Sequence, residues 1–345
     1  MFSHSKKWVY PAALLFLVFS VFTGIAVGSI HIPFMQIAII LSHHTFGTSL
    51  NGIDEAFHNI VWKIRLPRVM LAGLVGASLS IAGASFQGLL RNPLADPYTL
   101  GVSSGASLGA VMVLFFGWAL PFIGNFTLPI ISIAAAVLTI FSVLLFARMI
   151  EQSMKLETII LTGIIFSSFL GAFISLMIAL TGDELRQIIG WLMGSVSMRG
   201  WSYISLLLPF FIIGSCWLMY LAPELNAMSF GEEKARHLGI DVQRKKMMVM
   251  IAGSVLTGAA VAVSGTIGFV GLVIPHFVRL LIGPDHRHLL PVSMIAGAGF
   301  LILADLAART IISPTELPIG VITSLIGAPV FAIILMNRKR KGGVA

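Results

Sequence analysis

Asp305 and Arg309 stand four residues apart in an apolar run, so on a helix the acid would have a cation one turn away. A carboxylate within a bilayer could relay protons, but one paired to a guanidinium is held for structural reasons, and pairing is the expectation here. Apart from Arg279, no other charge falls deep inside an apolar run, fewer than an ion-coupled transporter or proton pump ordinarily needs. His276, His286 and His288 could offer imidazole ligands. His276 is ten residues from the pair, and no carboxylate or thiol cluster completes a coordination set, so no metal site is expected. Pro275, just before His276, is expected to bend a helix, and His43-His44 reads as a solvated loop pair. Cys216 is the single cysteine, which leaves no disulfide framework. The chain carries no Gly-x-x-x-x-Gly-Lys-Ser/Thr cradle for phosphates, so any ATP that drives it is hydrolysed on another chain. No acid, base and nucleophile converge in the sequence. An enzyme is therefore disfavoured and no cofactor is expected.

The elements that must carry these residues are apolar. A hydrophobic content of 57%, only 10% charged residues and a mean hydropathy of +0.97 exclude an ordinary soluble domain and indicate a bundle of membrane helices. The net charge of +8 sits in short basic clusters between apolar runs, the pattern that orients membrane proteins, so nucleic acid is not expected as a partner and lipid is.

The longest strongly charged stretch, residues 223–246, divides 345 residues into two apolar parts, 1–222 and 247–345, of a single transmembrane domain. Ser229 followed by Glu232 has the spacing of a capping box, and Gly239 suits the position after a helix end, so a short helix is expected from Phe230 to Leu238. Nine residues cannot hold a helix alone in water, so it must dock, on this chain or on a soluble partner.

Ten spans are expected. They run over Trp8–Ile30, Val69–Leu90, a pair within Pro97–Ala147, Thr158–Thr181, Trp201–Leu221, a tightly turned pair within Met247–Ile282, Leu289–Ile312 and Leu317–Met336. Pro33–Phe46 is too short to cross and reads as interfacial; a polar loop through Asn51, Asp54 and Glu55 follows, and Asp183–Gly194 reads as a short amphipathic piece. Ten crossings put both termini on one side. With that side cytoplasmic, the outer Lys and Arg are Lys63, Arg65, Arg68, Arg186, Arg199 and Arg309, and the rest of the 22 lie inside, as the positive-inside rule prefers. The segment 223–246, between spans six and seven, is then cytoplasmic. Small residues in Ala72–Gly88 and Ala252–Gly271 allow close helix packing. A weak repeat at an offset of 182 residues pairs Gly76 with Gly258, Gly83 with Gly265, Pro93 with Pro275 and Gly101 with Gly283; five intervening crossings would make it inverted.

Several blocks, in order between Arg65 and Pro329, carry a resemblance. They are Arg65-Leu66-Pro67-Arg68, Gln87-Gly88-Leu89-Leu90-Arg91-Asn92-Pro93-Leu94-Ala95-Asp96-Pro97, Leu100-Gly101-Val102-Ser103-Ser104-Gly105-Ala106, residues 231–239, Gly268-Phe269-Val270-Gly271-Leu272-Val273-Ile274-Pro275-His276, Asp285-His286-Arg287 and Glu316-Leu317-Pro318-Ile319-Gly320. The chain resembles the permease family of ABC importers for iron-siderophores, haem and vitamin B12. The resemblance implies an all-α, ten-helix permease in a bacterial cytoplasmic membrane that dimerises with a second permease subunit. It also implies two cytoplasmic ATP-binding ABC subunits as partners and an extracytoplasmic binding protein that delivers the substrate. It implies an ATPase coupling helix at Phe230, Gly231, Glu232, Glu233, Ala235, Arg236, Leu238 and Gly239. Arg65, Arg68 and Arg309 match positions that pair with glutamates of the binding protein. Lys155-Leu156-Glu157-Thr158 lacks the run of small hydroxyl residues at the inner gate of the vitamin B12 permease, so no gate residues are carried over. The expected cargo is a ferric siderophore or haem, with cobalamin second; an ion-coupled secondary transporter is the alternative of another class.

Overall fold

A computed structural model of the chain describes residues 6–28, 30, 32–50, 53–152 and 154–342. Among these residues the structure is all helical, with no strand. Asn51 of the expected polar loop lies outside the described residues. In chain order the helices are α1 (Lys6–Ala26), α2 (Phe34–Phe46), α3 (Glu55–Asn59), α4 (Leu66–Leu89), α5 (Val102–Phe116), α6 (Thr127–Ile150), α7 (Leu156–Leu180) and α8 (Leu185–Leu192). They continue with α9 (Gly200–Tyr220), α10 (Ala222–Ser229), α11 (Glu232–His237), α12 (Val242–Ser264), α13 (Val270–Ile282), α14 (His286–Thr310) and α15 (Ile319–Gly342). A π-helical turn, Ile60–Arg65, joins α3 to α4 into one continuous rod, Glu55–Leu89.

Among the described residues seven helices are long and apolar enough to cross a membrane: Trp8–Ala26, Glu55–Leu89, Thr127–Ile150, Leu156–Leu180, Gly200–Tyr220, Val242–Ser264 and His286–Thr310. Three further apolar helices, Val102–Phe116, Val270–Ile282 and Ile319–Ile333, are shorter.

The core is built around α4, whose rod is 89% buried over its most apolar window. Such burial needs a helix without bulk, and α4 supplies Gly, Ala and Ser along its length. A Cβ on Gly76 would lie 2.2 Å from the Gly297 carbonyl of α14, and one on Gly83 would lie 1.9 Å from the Gly271 carbonyl of α13. At these crossings the backbones themselves touch, as small-residue faces allow. The helices α12, α13 and α14 surround α4, α5 and α6 pack beside α12, and α7 lies on the outside with only 17% of its window buried.

Where helices begin, the sequence gives a physical reason. The side chains of Asp54, Asp241 and Asp285 accept backbone N–H bonds from Ala56, Arg244 and Arg287 at 2.8, 3.1 and 3.1 Å and cap α3, α12 and α14. The Asp241 cap moves one expected boundary. Arg244, Lys245 and Lys246 form the first turns of α12 rather than a loop, and of the expected pair of short crossings after residue 246 only α13 is short. His43 and His44 sit in the last turn of α2, not in a loop, and the His44 ring stacks on Trp62 with centroids 3.4 Å apart. The repeat loses register after one helix: the 182-residue offset aligns α4 with α12 but sets Gly101, which opens α5, against Gly283, which closes α13.

Candidate functional site

Two groups of polar residues occupy opposite ends of the bundle. At one end, the stretch that the sequence reads as a single capped helix is two helices. Ser229 closes α10 instead of opening the next helix, its hydroxyl donating back to the Leu225 carbonyl at 2.8 Å. Gly231, at φ +117°, then redirects the chain into α11 with no side-chain cap. The capping-box expectation is thereby corrected: a hydroxyl already bonded to its own helix cannot cap another. The C-terminal expectation holds. Gly239 has φ +82°, its N–H reaches the Arg236 carbonyl at 2.9 Å, and the Ile240 N–H reaches that of Ala235 at 3.2 Å, which is a Schellman closure.

This segment is clamped to the bundle by two helices, α12 and α14. Lys245 of α12 meets Glu224 at 2.6 Å, and Lys246 meets Glu232 at 2.8 Å. Asn226 donates to Asp285 Oδ1 at 2.7 Å, while its own carbonyl oxygen accepts the His286 backbone N–H at 2.8 Å. Ala235 faces inward, whereas Phe230 and Leu238 are 73% and 71% exposed. Glu233 and Arg236 are also exposed. A cavity of about 640 Å³, lined by Asn226, Ser229, Phe230, Ile282, Gly283, Pro284 and Asp285, opens beside them. The arrangement presents two large apolar side chains on a short, firmly anchored projection.

At the opposite end the arginines turn inward. Arg65 is 4% exposed and donates to the carbonyls of Ile25 at 2.8 Å, Ala26 at 3.0 Å and Ile30. Arg68 grips Asp305 through Nε (2.9 Å to Oδ2) and Nη2 (2.9 Å to Oδ1) and reaches Glu316 through Nη1 at 2.7 Å. Arg309 donates to the Gly24 carbonyl, and its Nε is 3.9 Å from Asp305 Oδ2. Asp305 is thus paired, as expected, but chiefly with Arg68 from another helix rather than with Arg309 one turn away. Arg65 is buried, and three of its five donors are taken by carbonyls at and just beyond the end of α1. Glu316, 41% exposed on its side chain, is the acidic group at the rim. Burial would raise its carboxyl, but hydrogen bonds and charge from Arg68 outweigh that and hold it below the usual carboxylate range.

Between the two ends, a 3₁₀ turn, Pro97–Leu100, precedes α5, and irregular backbone at 265–269 precedes α13. The Tyr98 hydroxyl ties these segments by donating to the Ile267 carbonyl at 2.9 Å. A cavity of about 380 Å³ lies alongside, lined by Leu192, Met193, Thr266, Gly268, Gly320, Val321, Ser324 and Leu325. Its lining is mostly apolar, with hydroxyls at Thr266 and Ser324. His286 and His288 take separate partners: His286 Nδ1 lies 2.8 Å from Asn226 Oδ1, and His288 Nδ1 lies 3.0 Å from the Tyr10 hydroxyl. Among the described residues no group of three or more His, Cys, Asp or Glu is placed to hold a metal ion.

Asn226, Glu316 and Lys246 were not singled out from the sequence. For Lys246 a signal existed. With Asp241 as cap, Lys246 falls on the helical face of Val242, Val249, Met250 and Gly253, all buried, so a basic residue in that register is directed inward.

Comparison with known proteins completes the description. Residues 15–337 match the model of the FecCD transport family. The chain is 62% identical to an uncharacterized ABC transporter permease protein, YvrB, of Bacillus subtilis, over 98% of this chain and 96% of that one. It is 43% identical to the cobalamin import system permease protein BtuC of Halobacterium salinarum (84% and 76% covered). Identity to the hemin transport system permease protein HmuU of Yersinia pestis is 38% (97% and 99% covered). The fold superposes on an inward-facing structure of a metal-chelate type ABC transporter with a TM-score of 0.81 at 31% identity, covering 96% of this chain and 99% of the other.

Proposed function

Because this chain belongs to the FecCD transport family, the permease subunits of ABC importers, we propose that it forms the translocation path through which a ferric siderophore or haem crosses a bacterial cytoplasmic membrane. The path is built from ten crossings, the seven long apolar helices and the three shorter ones, with both termini in the cytoplasm. A second permease copy completes it at a dimer axis. Cobalamin is the second reading, favoured by the identity to the halobacterial cobalamin permease. Uptake into proteoliposomes carrying the assembled importer and its binding protein, offered ferric siderophore, haem and cobalamin in turn, decides between them. Transport of cobalamin with neither iron chelate would overturn the first reading.

The observation that carries the mechanism is the anchored projection at 222–239. We assign Phe230, Gly231, Glu232, Glu233, Ala235, Arg236, Leu238 and Gly239 to docking in a groove of the cytoplasmic ATP-binding subunit. Phe230 and Leu238 are the apolar knobs, and the clamps to α12 and α14 carry force from the ATPase into the bundle. An ion-coupled transporter has no use for such a projection. Closure of two ATPases on ATP then biases a two-state bundle toward one access. Leu238→Asp is expected to leave insertion intact and to abolish co-purification of the ATPase subunit; undiminished co-purification and uptake in the doubly charged Phe230→Asp, Leu238→Asp variant would remove the assignment.

Binding-protein docking belongs at the opposite end. Arg65, Arg68 and Arg309 serve it by holding the ends of α1 and α14 and the 311–318 loop in place, with Glu316 at the rim of the surface they shape.

A further inference from the structure

Lys246 is 3% exposed, and it is a lysine, whose ammonium is costly to bury unless its donors are taken. Its Nζ lies 2.8 Å from Glu232 Oε1, at the start of α11, and 3.4 Å from the carbonyl of Met154, in the connection between α6 and α7. One buried cation thus joins three elements: the projecting segment, α12 on which Lys246 stands, and the loop that leads into α7. A second contact runs parallel, Gln243 Nε2 donating to the Gln152 carbonyl at 3.2 Å. The loop in turn grips α7, because Thr158 Oγ1, in the first turn of that helix, donates to Glu151 Oε2 at 2.8 Å. Met154 itself has φ +47°, a conformation an L side chain rarely adopts, while its side chain is buried. Met154 is therefore held in a conformation it would not choose alone, and Lys246 holds its carbonyl.

We propose that Lys246 is the positioning residue that transmits movement of the segment 230–239 to the cytoplasmic end of α7, through the Met154 carbonyl and the Glu151–Thr158 contact. The inference rests on the ATPase-docking reading of that segment and adds the route by which docking reaches the bundle. Of the seven long apolar helices among the described residues, the helix at the end of this route has the smallest buried share of its window, so little of its surface is held by the rest of this chain against a shift. Glu232 and Lys246 supply the charged joint, its lysine withdrawn from water and its carboxylate part-exposed, and the connection supplies the lever.

The test uses the assembled importer in proteoliposomes, with ATP hydrolysis, substrate uptake and ATPase co-purification measured together. Lys246→Met should retain the ATPase subunit and ATP hydrolysis but lower uptake per ATP hydrolysed by about tenfold or more. Lys246→Arg, which keeps a cation able to reach both oxygens, should restore most of it. Thr158→Val, which breaks the route at its far end without touching the buried lysine, should uncouple in the same direction. The double variant should be no worse than the poorer single one, as expected of residues acting in series. Parallel loss of hydrolysis and uptake in Lys246→Met, or uptake per ATP in Thr158→Val equal to wild type, overturns the proposal. If Lys246→Met does not assemble, Thr158→Val alone decides. Failure of the docking reading shows differently, as an unchanged ATPase complex in the Phe230→Asp, Leu238→Asp variant.

Discussion

At the scale of single residues, the Arg68–Asp305 contact makes the sharpest energetic statement. Asp305 is 1% exposed, so truncating its partner strands a carboxylate away from water. Loss of one member of a buried ion pair costs about 3–5 kcal/mol, whereas removing both leaves no orphan charge. Arg68→Ala is expected to lower the thermal stability of the detergent-solubilised permease strongly, and Asp305→Ala added to it should recover part of the loss. A double variant that is no more stable than Arg68→Ala would mean the pair is not the unit described. Glu316 adds a pH dependence with a fixed sign. Its carboxyl is held below the usual range, so the stability that its contact with Arg68 contributes is full above the ordinary glutamate value and is lost as pH falls through the lowered one. Glu316→Gln should remove that acid-side decline in melting temperature. These partners were not legible in sequence. The i,i+4 spacing of Asp305 and Arg309 was real, yet the tertiary fold set Arg68, from a helix more than 200 positions earlier, closer to the acid.

At the scale of elements, apolar runs between charges located the helices well, since length and hydropathy leave few ways to place a buried rod. The closure at Gly239 was legible, because only the backbone and a glycine make it; the caps at Asp241 and Asp285, which start their helices ahead of the expected Met247 and Leu289, were not read, and Ser229 was misread because its hydroxyl is engaged in its own helix. Small-residue stripes announced close packing without saying which helices approach. The structure supplies that, and a test with an internal control follows. Gly83→Ala would put a methyl 1.9 Å from the Gly271 carbonyl, a backbone atom with no rotamer to yield, so α4 and α13 must separate. Overpacking of this kind costs roughly 1–3 kcal/mol or more. Gly171→Ala in α7 has nothing within 4 Å of the new methyl and should be neutral, or stabilising by up to about 1 kcal/mol through helix propensity. Equal melting temperatures for the two variants would contradict the close approach of α4 to α13.

At the scale of the whole molecule, the question is how two short helices, α5 and α13, serve in a bundle of long ones. At 1.5 Å per residue the 23 residues of α12 reach about 34 Å, enough for a hydrocarbon core of about 30 Å, whereas the 15 of α5 and the 13 of α13 reach only about 22 and 20 Å. The proposed ten-crossing path needs the 3₁₀ turn before α5 and the irregular segment before α13, joined through Tyr98, to make up the rest, and non-helical backbone at membrane depth is tolerated where protein surrounds it. On this reading both short helices count as crossings, the total is even up to the segment 222–239, and Thr48, at the end of α2, lies across the membrane from Leu238. Both positions are exposed, so single cysteines there, in a Cys216→Ala background because Cys216 is itself exposed, report sidedness directly. In intact cells an impermeant thiol reagent should label Thr48→Cys and leave Leu238→Cys unlabelled until the membrane is opened. Inverted vesicles should give the reverse. Counting from α2 to the projection, five crossings (α4, α5, α6, α7 and α9) separate the two sites, and five is odd only because the short α5 spans. Labelling of both cysteines from the same face would mean that α5 and its preceding segment turn back within the membrane, and the path would then have to be rebuilt on nine crossings.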